Sequence, residues 1–152
     1  MEITVEDILL DVLSADRDDL IRTISDIAVK RGYTLSASKL FDAFIDREME
    51  YSTGLQDGFA IPHAKSDAVE RAGVIYARLR QPIEWKTYDD APVTDVFALM
   101  VPEQEKGTIH LQMLGNLANA LLEDDFKTQL RALDDEAAIA GFITEQIGVE
   151  VS

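Results

Sequence analysis

The chain has 152 residues, 47% of them apolar, enough for one domain with its own core and no need of disulfides or metal to hold it. It has no cysteine, which excludes a disulfide framework, a zinc–thiolate centre and a thiol nucleophile. Its 29 acidic against 14 basic residues leave a net charge of −15, which argues against nucleic acid and anionic lipid as partners and suits either a basic protein surface or simple solvation.

The N-terminus, Met-Glu-Ile-Thr-Val-Glu-Asp, lacks the basic start and apolar stretch of a signal peptide. No apolar run comes near the roughly 18 residues of a membrane span, so a cytoplasmic protein with no membrane insertion is expected. Residues 7–13 read equally as a short strand or a helix. From about Ser14 to Arg31, Leu20, Ile21, Ile24, Ile27 and Ala28 recur at helical spacing, and Gly32 closes the segment. Ser36 or Ser38 opens a second helix with Leu40, Phe41, Phe44 and Ile45 inward, running past Arg47 to Glu50 before Ser52-Thr53-Gly54 breaks it.

The middle third changes character. Residues 58–63, 73–79 and 94–101 are short β-branched or alternating segments bounded by Gly, Pro and Asp, and 81–93 reads as a hairpin-like excursion around Ile83 and Trp85. After Pro102 and a polar stretch, Thr108 is the expected N-cap of a helix with Ile109, Met113, Leu114, Leu117 and Leu121 on one face. Two short helices follow, near 125–132 and 135–147. Helices, then strands, then helices predict a single α/β domain over 1–152: a sandwich with a mixed central sheet flanked by helices, its strand order unreadable.

Residues 58–66, Gly-Phe-Ala-Ile-Pro-His-Ala-Lys-Ser, carry the most chemistry. Phe59, Ile61 and His63 alternate, so a strand burying two apolar residues turns His63 the same way, and Pro62 suits a strand end or edge. His63 is therefore expected where the chain leaves the sheet. A neutral imidazole there is a nucleophile, and Lys65 and Ser66 are placed to meet an anion beside it. His110, in the first turn of its helix, is expected to be neutral because the helix N-terminus disfavours imidazolium. It either holds a phosphoryl oxygen or merely decorates a helix start. Arg47 ends a helix, where it pairs with free carbonyls or grips two phosphoryl oxygens as a planar fork. Asp57 reads as a turn residue or as a partner orienting an imidazole. No tight ligand pair, nucleotide loop or nucleophile elbow occurs, so no metal or other cofactor is expected.

Taken together these residues resemble the IIA component of the phosphoenolpyruvate-dependent sugar phosphotransferase system, fructose/mannitol type. The likeness runs from Arg47-Glu48 through Ser52-Thr53-Gly54 and 58–69, past Pro82-Ile83-Glu84-Trp85 and 96–102, to His110-Leu111. It departs at Leu55-Gln56-Asp57, where Ile-Gly-Asn/His is more usual. The resemblance implies that His63 takes a phosphoryl group from the phosphocarrier HPr and passes it to a cysteine on a IIB component linked to a membrane IIC component. It makes His110 and Arg47 active-site residues and residues 7–13 a strand. The cysteine-free composition then puts IIB on a separate polypeptide. A nitrogen-type regulatory module, acting through the phosphorylation state of the same histidine, is the alternative.

Overall fold

A computed structural model describes residues 3–105 and 109–147, the side chains of Ile109 and His110 excepted. The chain divides into two compact units, Leu9–Glu105 and Met1–Ile8 with Lys106–Ser152. Among the described residues its elements are five α-helices and a mixed five-stranded sheet.

In the larger unit the helices follow from their caps and stripes. Asp16 accepts the Asp19 N–H at 2.8 Å and starts α1 (Arg17–Lys30), which buries Leu20, Ile21, Ile24 and Ala28. Gly32 leaves the helix at φ +75°, a conformation that costs a glycine nothing. Ser36, rather than Ser38, caps α2 (Ala37–Glu50) by accepting the Lys39 N–H at 3.3 Å. The buried stripe of α2 is Leu40, Phe44 and Glu48, so its third member is a carboxylate where spacing calls for an apolar residue.

The sheet comprises β1 (Ile8–Val12), β2 (Phe59–Ala60), β3 (His63–Ser66), β4 (Gly73–Ile83) and β5 (Val93–Pro102). Residues 8–12 are thus a strand, preceded by a 3-10 turn at Val5–Asp7. The order is β1-β4-β5, with β2 and β3 both on the far side of β5. β4 runs antiparallel to β5, while β2 and β3 run parallel to it. Phe59 faces Asp95 and His63 faces Leu99, so one register continues across the Ile61-Pro62 break. The expected strand over 58–63 is therefore corrected. It splits at the proline, which has no ladder donor, and His63 opens the second piece instead of leaving the sheet. The expected excursion also shrinks, because β4 continues to Ile83, which pairs with Val93.

Helices α1 and α2 cover the sheet face that carries Ala60, Ala64, Ile75, Ala77, Ala98 and Met100. The alanines give the helices close access, and each fully buried Leu, Ile or Phe of this core contributes about 1.5–3 kcal/mol. The opposite face carries Phe59, Phe97 and Tyr76, with ring centroids 6.3 and 4.8 Å apart in that sequence. Beside them the Tyr76 hydroxyl donates to buried Asp95, which also accepts from Thr94 at 2.6 Å, and Arg78 Nε donates to the Tyr76 oxygen at 3.0 Å. Burial and the Asp95 charge push the Tyr76 phenol far above its ordinary range, so it stays a donor.

The smaller unit holds α3 (Ile109–Ala120), α4 (Asp124–Ala132) and α5 (Glu136–Ile147). Met113, Leu117, Leu121, Leu130, Ile139 and Ile143 are buried, and Phe126 stacks on Phe142 at 5.3 Å. Ile3 exchanges backbone hydrogen bonds with the Thr144 hydroxyl. Among the described residues no helix is long and apolar enough to cross a membrane.

Candidate functional site

Three stretches of the larger unit converge on His63: the end of α2, the loop that follows it, and the split edge strand. The motif Arg-Glu…Ser-Thr-Gly has a structural meaning residue by residue. Arg47 reaches forward to the Tyr51 carbonyl at 2.7 Å and so closes the helix C-terminus. Glu48, only 5% exposed, accepts both the hydroxyl and the N–H of Thr53. Ser52 donates to the Lys86 carbonyl at 2.7 Å. At Gly54 a Cβ would lie 2.3 Å from the Lys86 carbonyl oxygen, so only glycine lets the two backbones approach this closely.

The loop then runs back along the strand it supports. Gly54 bridges Ala60, Leu55 donates to the Phe59 carbonyl at 2.8 Å, and Ile61 donates to the Thr53 carbonyl at 3.0 Å. Asp57 sits in the turn at φ +60° and donates its backbone N–H to Asp89 at 3.0 Å, as a turn residue does.

His63 Nδ1 lies 2.9 Å from the Ile61 carbonyl oxygen. A carbonyl only accepts, so Nδ1 carries the proton and, in the neutral ring, Nε2 holds the free lone pair. Burial lowers the His63 pKa from its ordinary value, opposed by the Ile61 hydrogen bond. The Arg47 charge lowers it further and the Glu48 charge raises it. The imidazole is therefore neutral at pH 7, half-buried, with one defined nucleophilic nitrogen. Arg47 places a guanidinium close enough to be felt there, and beyond its bond to Tyr51 its N–H groups have no protein acceptor among the described residues.

Lys65 follows two residues on in β3, on the same strand face as His63, exposed and without an ion-pair partner among the described residues. The Ser66 oxygen accepts the Ala68 N–H at 3.0 Å and turns the chain out of the sheet. His110 belongs to the other unit, in the first turn of α3, but its side chain and the expected cap Thr108 lie outside the described residues. Sequence reasoning named His63, Arg47 and the Ser-Thr-Gly loop, which the structure places close together in the larger unit. It passed over Glu48, whose only signal is an acid on an apolar stripe five residues before a threonine. Among the described residues no three His, Asp or Glu side chains gather as a metal site.

Residues 1–146 match the family described as phosphoenolpyruvate-dependent sugar phosphotransferase system, EIIA 2. The chain belongs to this family. The EIIA chain is 32% identical over 143 residues to the PTS system fructose-specific EIIA component of Haloferax volcanii, covering 94% of this chain and 92% of that one. It is 36% identical over 124 residues to a nitrogen regulatory protein of Klebsiella oxytoca, covering 80% and 75%. The crystal structure of nitrogen regulatory protein IIA-Ntr from Neisseria meningitidis superposes with a TM-score of 0.84 at 28% identity, covering 92% and 94%. Both branches of EIIA function are thus represented among its relatives.

Proposed function

We propose that this EIIA protein is a cytoplasmic phosphocarrier in sugar uptake, accepting a phosphoryl group on His63 Nε2 from phospho-HPr. It then hands the group to a cysteine of a IIB component, which serves a membrane IIC component. The observation that carries this reading is the His63 Nδ1–Ile61 hydrogen bond, which reserves Nε2 for bond formation with phosphorus. In the transfer Nε2 supplies the electron pair, the N–P bond of the donor phosphohistidine breaks, and its electron pair stays on the donor nitrogen. The reverse geometry delivers the group to a thiolate. Arg47 binds the equatorial oxygens, Lys65 and Ser66 flank the anion, and His110 is the second active-site histidine, donating a hydrogen bond without forming a bond to phosphorus.

The experiment is incubation with enzyme I, HPr and radiolabelled phosphoenolpyruvate. One acid-labile, base-stable phosphoryl group is expected on the wild type and none on His63→Ala. Label on His63→Ala at the wild-type level overturns the assignment.

A second reading is favoured by the relatives named as nitrogen regulatory proteins, one of them the IIA-Ntr structure. Here the same phosphohistidine, carrying roughly −1.5 to −2 charges by analogy with other phospho-residues, switches a docking surface. Onward transfer to a panel of IIB domains supports uptake. A phosphoprotein inert toward every IIB supports regulation.

A further inference from the structure

A carboxylate on the buried stripe of α2 is expensive unless each oxygen is satisfied. Glu48 is satisfied by a single residue: Thr53 gives it both its hydroxyl and, at 3.2 Å, its N–H. Thr53 in turn accepts the Ile61 N–H on its carbonyl at 3.0 Å, and the Ile61 carbonyl accepts the His63 Nδ1–H at 2.9 Å. The sheet does not hold this part of the chain by itself. Pro62 gives its carbonyl to Leu99 of β5 but has no N–H, and both polar groups of Ile61 are committed away from β5, to Thr53 and to the ring.

We propose that Glu48 is a positioning residue for His63: through Thr53 it fixes the Ile61 peptide, and with it the tautomer and aim of the imidazole. This rests on the reading that Nε2 accepts the phosphoryl group. It explains why the position holds an acid. An ionised carboxylate accepts two donors from one residue with no donor of its own, whereas a glutamine would turn its NH₂ against one of them. Glu48 also acts on the ring through space, favouring its protonated form against the effect of Arg47, so the acid keeps the nitrogen basic as well as aimed.

The test uses the full chain with Glu48→Gln, Thr53→Val and Thr53→Ser, and two readouts: the ¹⁵N spectrum of the His63 ring across pH, and label uptake from phospho-HPr. The wild-type ring is expected as the neutral Nδ1–H tautomer. Glu48→Gln and Thr53→Val should move it toward Nε2–H and slow label uptake about tenfold or more, the scale of one charge-assisted hydrogen bond. Thr53→Ser, which keeps the hydroxyl, should restore both. Glu48→Gln alone should also lower the ring pKa, because only it removes the charge. Folded Glu48→Gln or Thr53→Val protein that keeps the Nδ1–H tautomer overturns the proposal, whatever its transfer rate. Should Glu48→Gln not fold, Thr53→Val against Thr53→Ser decides from the other end of the bond. If the wild type takes up no label, the phosphoryl reading fails while the ring spectra still decide the positioning role.

Discussion

Strand β5 has two neighbours that are built differently. On one side β4 follows it from Gly73 opposite Met100 to Arg78 opposite Asp95, a long antiparallel ladder between nearly continuous buried residues. On the other side β2 and β3 supply two short parallel pieces separated by Ile61-Pro62. The first side is held by ladder hydrogen bonds and apolar burial. The second depends on side chains from α2 and its loop, with Glu48, Ser52 and Thr53 each committed to a named partner. A scaffold gains from redundancy, since many small contacts share the load. A reactive edge gains from a few directional bonds, because they set one nitrogen's orientation and leave its lone pair exposed.

The largest expected effect lies on β5 itself, in the apolar packing that backs the ladder. Phe97 is fully buried between Phe59 and Tyr76, so Phe97→Ala should cost about 3–5 kcal/mol in denaturant unfolding. Molecules that remain folded should keep a normal His63 transfer rate. A stability loss under about 1 kcal/mol would show that the ladder carries little of the load.

Arg47→Lys should behave in the opposite way. A lysine still places a cation at the end of α2, so unfolding should shift by no more than about 0.5 kcal/mol. Losing a forked, charge-assisted contact worth about 1.5–3 kcal/mol should slow phosphoryl transfer roughly 10- to 150-fold. An unchanged rate would return Arg47 to its helix-capping bond with Tyr51 alone.

The smallest effect is a pH dependence. Burial holds His63 below its ordinary pKa of about 6.5, so on acidification the unfolded chain takes up this proton first. The His63 contribution to stability is therefore constant above about pH 6.5, declines as pH falls from there to the folded pKa, and levels below it. Comparing wild type with His63→Gln at several pH values isolates this term. A wild-type stability that rises relative to His63→Gln as pH falls through this window would have the wrong sign and would overturn the burial argument.

What was legible in the sequence follows the same division. Helices α1 and α2 announce themselves by Leu20-Ile21-Ile24-Ala28 and Leu40-Phe44 spacing behind oxygen-bearing caps, and β4 and β5 by β-branched runs. Those signals are summed over many residues, so no single one has to be read correctly. The edge is different. β3 escaped notice because Lys65 and Ser66 are polar and Pro62 masks the continuing register with β5. His63 was legible through its neighbours and Arg47 through its place at a helix end. The pairing of Glu48 with Thr53 was not, because an acid inside a helix ordinarily means a solvated face, and only burial reveals otherwise. The family resemblance supplied the motif around Arg47-Glu48 and Ser52-Thr53-Gly54, and the hydrogen bonds supply its reason.

The parallel pairing of β3 with β5 also has a consequence for how the protein comes into being. Residues 63–66 have no strand partner until residues 99–102 have been synthesised and have docked beside them. The β4–β5 hairpin, joined by the short stretch 84–92, closes a smaller loop and has less chain entropy to overcome. The edge strand thus joins a sheet that already exists. In a nascent or half-folded chain the Ile61 peptide is not yet held between Thr53 and the sheet, so the tautomer of His63 is fixed only when the last strand has docked.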